Sequence, residues 1–160
     1  MDQQRRIFLA GAGQMAVLAA CAPLARAAGQ AAPDTYPFSL GVASGSPLPN
    51  SVILWTRILA DPLNAAATPP VAFAVRWEVA HDEGFTRIAA KGSASAVPAL
   101  AHSVHVDATG LEPGRWYWYR FMLGDAVSPV GRTRTAPAAD SLPVMLKMAV
   151  ASCQHWEFGS

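Results

Sequence analysis

Leu111-Glu-Pro-Gly-Arg-Trp-Tyr-Trp-Tyr-Arg-Phe121 is the stretch on which the fold turns. After the Pro113-Gly114 turn, Tyr117, Tyr119 and Phe121 fall on one side of a period of two and Trp116, Trp118 and Arg120 on the other, which is the signature of a strand with one buried face. Leu111, the turn and Tyr117 have the spacing of a tyrosine corner, where the phenol closes back on the backbone of the preceding loop. A buried tyrosine hydroxyl needs a partner and this corner supplies one, so Tyr117 reads as structural. Trp116 and Trp118 read as two exposed indoles, and large exposed apolar patches mark contacts. They fit the seam for a second domain better than a platform for a sugar ring or polymer.

Working outward, Phe73, Val75, Trp77 and Val79 alternate with Ala74, Arg76, Glu78 and Ala80. Slipping this register by one residue would bury Arg76 and Glu78. Turn clusters such as Gly45-Ser-Pro-Leu-Pro-Asn50, Asp61-Pro62, Thr68-Pro-Pro70, Asp82-Glu-Gly84, Gly92 and Gly124-Asp125 punctuate the apolar runs. Between them the strands expected are 38–43, 51–58, 72–80, 85–91, 102–108, 115–123 and 127–135. Seven short strands in about a hundred residues predict an all-β sandwich of the immunoglobulin or fibronectin III kind over 38–136. Trp55 and Trp77, within two of these strands, read as structural along with Tyr117.

The chain has 160 residues, a net charge of +1 and 52% hydrophobic residues. That is ample for one packed core. Lys and Arg are scattered singly through the sandwich, with no block or stripe to track a phosphate backbone, so nucleic-acid binding is not expected.

Residues 1–28 read as an address. Arg5 and Arg6 precede Ile7-Phe8-Leu9, an Ala/Gly-rich run follows, and Ala25-Arg26-Ala27 is a small-x-small cleavage site. This is the layout of a twin-arginine signal, with the twin-arginine export machinery as partner. The run is too short and too weakly apolar for a permanent span, which needs roughly 20 apolar residues. The mature protein is therefore placed in the periplasm or outside the cell. Leu18-Ala19-Ala20-Cys21 also has the look of a lipoprotein box, so a lipid anchor at Cys21 competes with cleavage after Ala27 or Ala28. Residues 29–37 read as an Ala/Pro linker. In either case Cys153 is the sole thiol of the mature domain, and no intramolecular disulfide is expected.

Met145-Leu-Lys-Met-Ala-Val-Ala-Ser-Cys-Gln154 is an apolar run ending on a polar tip. It reads as a buried parallel strand, with functional groups at its C-terminal end. Such a strand needs neighbours and covering helices, so the chain reads as the front piece of a longer protein, with 145–160 opening a second, truncated domain.

Other constellations are weak. His81, His102 and His105 lack metal-ligand spacing to any cysteine, and His102 and His105, three apart on one expected strand, would point to opposite faces. Asp82 and Glu83 read as solvated turn carboxylates. Gly41-Val-Ala-Ser-Gly45 has neither the lysine nor the strand-to-helix context of a phosphate loop. Ser44 and Ser46 have no histidine partner implied by spacing.

Five stretches, Phe38 to Arg57, Ala101 to Val106, Gly110 to Arg120, Gly131 to Thr135 and Val150 to Gln154, together resemble the N-terminal region of PhoD-type alkaline phosphatases, also known as phosphodiesterases or phospholipase D. The resemblance runs over essentially the whole mature chain. It implies a β-sandwich followed by an α/β metallophosphatase domain that hydrolyses phosphate esters at an iron and calcium centre. It also implies that Cys153 is an iron ligand, a role suited to a thiolate. It places the catalytic residues beyond this chain and leaves the chain itself inactive. The alternative is a stand-alone exported sandwich that binds a polymer or serves as a spacer.

Overall fold

The computed structural model describes residues 35–142 together with Met145, Ala149 and Val150. Among these residues the strands are β1 (Val42–Gly45), β2 (Ser51–Arg57), β3 (Phe73–Ala80), β4 (Ile88–Ala96), β5 (Ser103–Thr109), β6 (Trp116–Leu123), β7 (Ala126–Val127) and β8 (Gly131–Arg134). Two antiparallel sheets result. One is ordered β1-β2-β5; the other runs β4-β3-β6, with β7 and β8 both paired to the free side of β6.

Alternation decides which sides meet. Val52, Leu54 and Thr56 of β2 and Val104, Val106 and Ala108 of β5 face Phe73, Val75 and Val79 of β3 and Tyr117, Tyr119 and Phe121 of β6, and all of them are buried. Phe38 and Ile58 fill one end of this layer. Three strands facing a larger sheet over one apolar layer is the immunoglobulin/fibronectin-like sandwich.

The expected strands 51–58, 72–80, 102–108 and 115–123 agree with β2, β3, β5 and β6 to within a residue or two. The others shift for physical reasons. The first lies at Val42–Gly45 rather than 38–43: Gly41, at φ +72°, donates its N–H to the Phe38 carbonyl at 2.9 Å and closes a turn before the strand starts. The strand expected at 85–91 is displaced to Ile88–Ala96, running through Gly92 instead of stopping before it. Its inward positions are small: Ala90, Gly92, Ala94 and Ala96 lie opposite Val79, Trp77, Val75 and Phe73. A Cβ at Gly92 would stand 2.7 Å from the Trp77 indole, so the glycine marks close packing rather than a turn.

The strand expected at 127–135 is broken in two. The Ser128 hydroxyl accepts the Phe121 N–H at 2.9 Å, in the place of a ladder carbonyl, and donates to the Pro129 carbonyl at 2.8 Å, while Pro129 has no N–H to continue the ladder. His102 is also displaced from expectation. It precedes β5 rather than lying in it, has φ +58°, and is buried with Nε2 2.9 Å from the Val71 carbonyl. Within the segment read as linker, Pro37 is already buried, and its carbonyl accepts the Leu59 N–H at 3.1 Å.

Candidate functional site

The outward row of β6 meets the outward row of β8 in register. Trp116 lies opposite Arg134, and Trp118 opposite Arg132. Opposed residues in an antiparallel pair share a face and stand close enough to interact. The Arg132 guanidinium sits 4.0 Å from the centre of the Trp116 ring and 5.7 Å from that of Trp118, and Arg134 lies 5.6 Å from Trp116. Each guanidinium is thus within cation–π range of an indole. Trp116 is 46% exposed, whereas Trp118 is partly buried, opposite the fully buried Ala80. Of the two indoles expected to be exposed, Trp116 is and Trp118 is only partly so.

The ladder continues inward across the sheet. Arg120 lies opposite Glu78, donates from Nε and Nη2 to Oε2 at 3.0 and 2.8 Å, and places its guanidinium 4.1 Å from the centre of the Phe85 ring. Glu78 in turn lies opposite Lys91, and Arg76 opposite Met122 and Ser93. Between Arg76, Glu78, Lys91 and Met122 is a shallow depression of about 530 Å³. On this one face, Arg76, Lys91, Arg120, Arg132 and Arg134 therefore stand with Glu78 as the sole carboxylate of the paired rows. Scattered in sequence, the cations are gathered by strand pairing. With guanidiniums over the indoles, the face offers N–H donors rather than bare aromatic surface, and guanidinium forks suit carboxylate or phosphate oxygens.

Next to this face is the corner. The Tyr117 side chain is buried, and its hydroxyl accepts the Glu112 N–H at 2.8 Å. Thr135 Oγ1 donates to the Glu112 carbonyl at 2.7 Å and accepts the Arg115 N–H at 3.0 Å. Gly114, at φ +67°, supplies the left-handed turn that lets these bonds close. Trp77 is half-buried against the core, with its indole over Gly92. Trp55, read as structural, is not in the core: it sits half-buried on the outer face of the three-stranded sheet, opposite Ala43 and His105.

The polar residues weighed above for chemistry are spread apart. His102 is buried, His105 is exposed on β5, and the His81 ring lies 5.2 Å from that of Tyr117. Asp82 accepts the Thr86 N–H, the Arg87 N–H and the Thr86 hydroxyl at 2.9, 2.9 and 3.0 Å. The Thr86 backbone bond leads the causes that hold this carboxyl below the usual carboxylate range. It is the clasp of a turn. Glu112 is likewise lowered, chiefly by its hydrogen bond from Arg115. Burial pushes the Tyr119 phenol up, partly offset by a hydrogen bond with Ser44. Among the described residues, no group of three or more His, Cys, Asp or Glu is placed to hold a metal ion. Arg5, Arg6, Cys21 and Cys153 lie outside the described residues. Of the expected strand 145–154, only Met145, Ala149 and Val150 are described; none is in a strand, and all are exposed.

The sequence pattern missed the pairing of Arg132 and Arg134 with the two tryptophans. Its signal was present in Gly131-Arg-Thr-Arg-Thr135, where Thr133 and Thr135 are buried and the arginines alternate outward.

Fold and surface together define a β-sandwich module whose distinctive chemistry lies on one outer sheet face. The model of the PhoD-like phosphatase N-terminal domain matches residues 22–137, and the chain belongs to that family. Alkaline phosphatase D of Bacillus subtilis (strain 168) is 50% identical over 161 residues, which cover 97% of this chain and 28% of that protein. A solved structure of PhoD superposes with a TM-score of 0.65 at 58% identity, over 66% of this chain and 20% of the other. This chain thus spans little more than a quarter of the curated relative's length.

Proposed function

We propose that this chain is the N-terminal module of an exported, metal-dependent phosphate-ester hydrolase and does not itself carry out the hydrolysis. The observation that carries this reading is the family match over 22–137, joined to 50% identity with a protein named alkaline phosphatase D. A hydrolase of this kind needs several metal ligands around an attacking water. The described residues do not fit an iron and calcium centre, because no such cluster forms among them, and no step of hydrolysis is assigned to them. Cys153 is proposed as an iron ligand at the head of the following domain. Arg5 and Arg6 are proposed to direct export through the twin-arginine route to the periplasm or beyond, with a lipid anchor at Cys21 as the competing fate.

The test compares the purified 160-residue chain with a longer protein in which it precedes the remaining portion of the curated relative. The longer protein hydrolyses an aryl phosphate and the chain alone does not; metal-dependent turnover by the chain alone overturns the reading. Cys153→Ala lowers bound iron in the longer protein, and undiminished iron removes the ligand assignment. Arg5→Lys with Arg6→Lys blocks export of the precursor, which fractionation of expressing cells would detect.

The stand-alone binding module is the second reading. It is disfavoured as a sugar platform, since Arg132 and Arg134 already lie over the indole surface such stacking would use.

A further inference from the structure

We propose that the outer face of the five-stranded sheet, centred on Trp116, Arg132, Trp118 and Arg134, seats an acidic surface of the domain C-terminal to this module. The inference rests on the reading that such a domain is present; it assigns where that domain docks and with what chemistry. Charge and position each support it, and tethering adds to both.

Charge comes first. Arg120 is paired with Glu78 at 2.8 Å, Lys91 shares that one carboxylate as its other cross-strand neighbour, and Arg76, Arg132 and Arg134 have no carboxylate opposite them. Interfaces join complementary potentials, and arginine and tryptophan are the residues most enriched where binding energy concentrates. Stacking on the indoles holds Arg132 in place before any partner arrives, so less side-chain freedom is lost on docking.

Position is set by how the chain leaves the sandwich. β8 ends at Arg134, whose Nε donates to the Gly114 carbonyl at 3.1 Å. Two residues later, Ala136 is pinned on both sides: its N–H donates to the Leu48 carbonyl at 3.1 Å, and its carbonyl accepts the Gly114 N–H at 2.9 Å. The exit is thus anchored beside the Trp116 and Arg134 end of the face, and a C-terminal domain would emerge next to it. The curated relative, of which this chain covers 28%, has ample length for that occupant.

Tethering adds to both: a covalently joined domain meets the face at a high effective concentration, so a modest contact holds it there.

The experiment is hydroxyl-radical labelling of Trp116, read by mass spectrometry, in the 160-residue chain and in the longer protein that adds the remaining portion of the curated relative. Labelling drops several-fold in the longer protein. It returns to the level of the 160-residue chain carrying the same residues in 1 M NaCl, in the double variant Arg132→Glu/Arg134→Glu, and in Arg76→Glu/Lys91→Glu, whose residues do not lie over either indole. Equal labelling of Trp116 in the two proteins overturns the proposal, and protection that survives both salt and all four charge reversals overturns its acidic chemistry. Protection that appears in the chain alone as concentration rises gives the face to a second copy instead. Hydrolysis is measured on the same samples: an active longer protein with unprotected Trp116 sinks the docking and leaves the hydrolase reading standing, and protection without turnover does the reverse.

Discussion

Both faces of β6 carry aromatic rings, and they hold them differently. Inward, Tyr117, Tyr119 and Phe121 are each at most 2% exposed and fixed by neighbours that cannot move far. Outward, Trp116 and Trp118 are held by long guanidinium side chains that adapt to what lies above them. The inner face shows what shape complementarity requires, and the outer face what a surface prepared for contact looks like. Substitutions on the inner face should therefore be costly and insensitive to salt, and those on the outer face mild and salt-dependent.

The largest effect is expected from Phe121→Ala, which empties a fully buried site between the sheets and should cost about 3–5 kcal/mol in urea unfolding. Gly131→Ala comes next. Its Cβ would overlap Cζ of the Tyr119 ring, and relieving that overlap should cost about 1–3 kcal/mol. Gly92→Ala is the softer counterpart, since the Trp77 indole that it meets is only half-buried and has room to tilt. Its destabilisation should be the lesser of the two, and a reversal of that order would break the distinction between a locked ring and a yielding one.

Tyr117→Phe removes the acceptor for the Glu112 N–H while keeping the ring, and should cost about 1 kcal/mol. On the outer face, Glu78→Gln unpairs Arg120, with side chains 23% and 31% exposed, and should change stability by no more than about 1 kcal/mol, with less effect in high salt. An equal cost at low and high salt would place this pair with the inner face rather than the outer.

The smallest effect is a pH dependence at the Asp82 turn. The folded carboxyl titrates below its unfolded value, so its contribution is fully present above the unfolded pKa and is lost as pH falls through the folded one. Asp82→Asn should flatten the acid limb of stability against pH by lowering the neutral plateau, with the two proteins alike at the acid end. A steeper acid limb in the variant would contradict the assignment.

Legibility in the sequence tracked side-chain contrast. β3 and β6 were readable because large apolar residues alternate with charges at Phe73 to Ala80 and Trp116 to Phe121. β4 was misplaced because its inward positions are Ala and Gly, whose small side chains give alternation no amplitude; only the partner strand shows that they receive Phe73, Val75 and Trp77. The break at Ser128-Pro129 was hidden for a related reason, since a serine hydroxyl substituting for a ladder carbonyl looks like any other polar position. The candidate face was half legible: its tryptophans stood out, but its cations were spread from Arg76 to Arg134 and read as isolated charges.

The sequence by itself determined the sandwich, the corner at Tyr117 and the family, because these depend on period, turn chemistry and ordered motifs carried by neighbouring residues. Only the tertiary structure decided that Arg132 and Arg134 rise over Trp116 and Trp118 and that the scattered cations share one face. Cross-strand register joins residues from distant parts of the chain, and that register is set by the packing of the whole inner layer rather than by any local stretch.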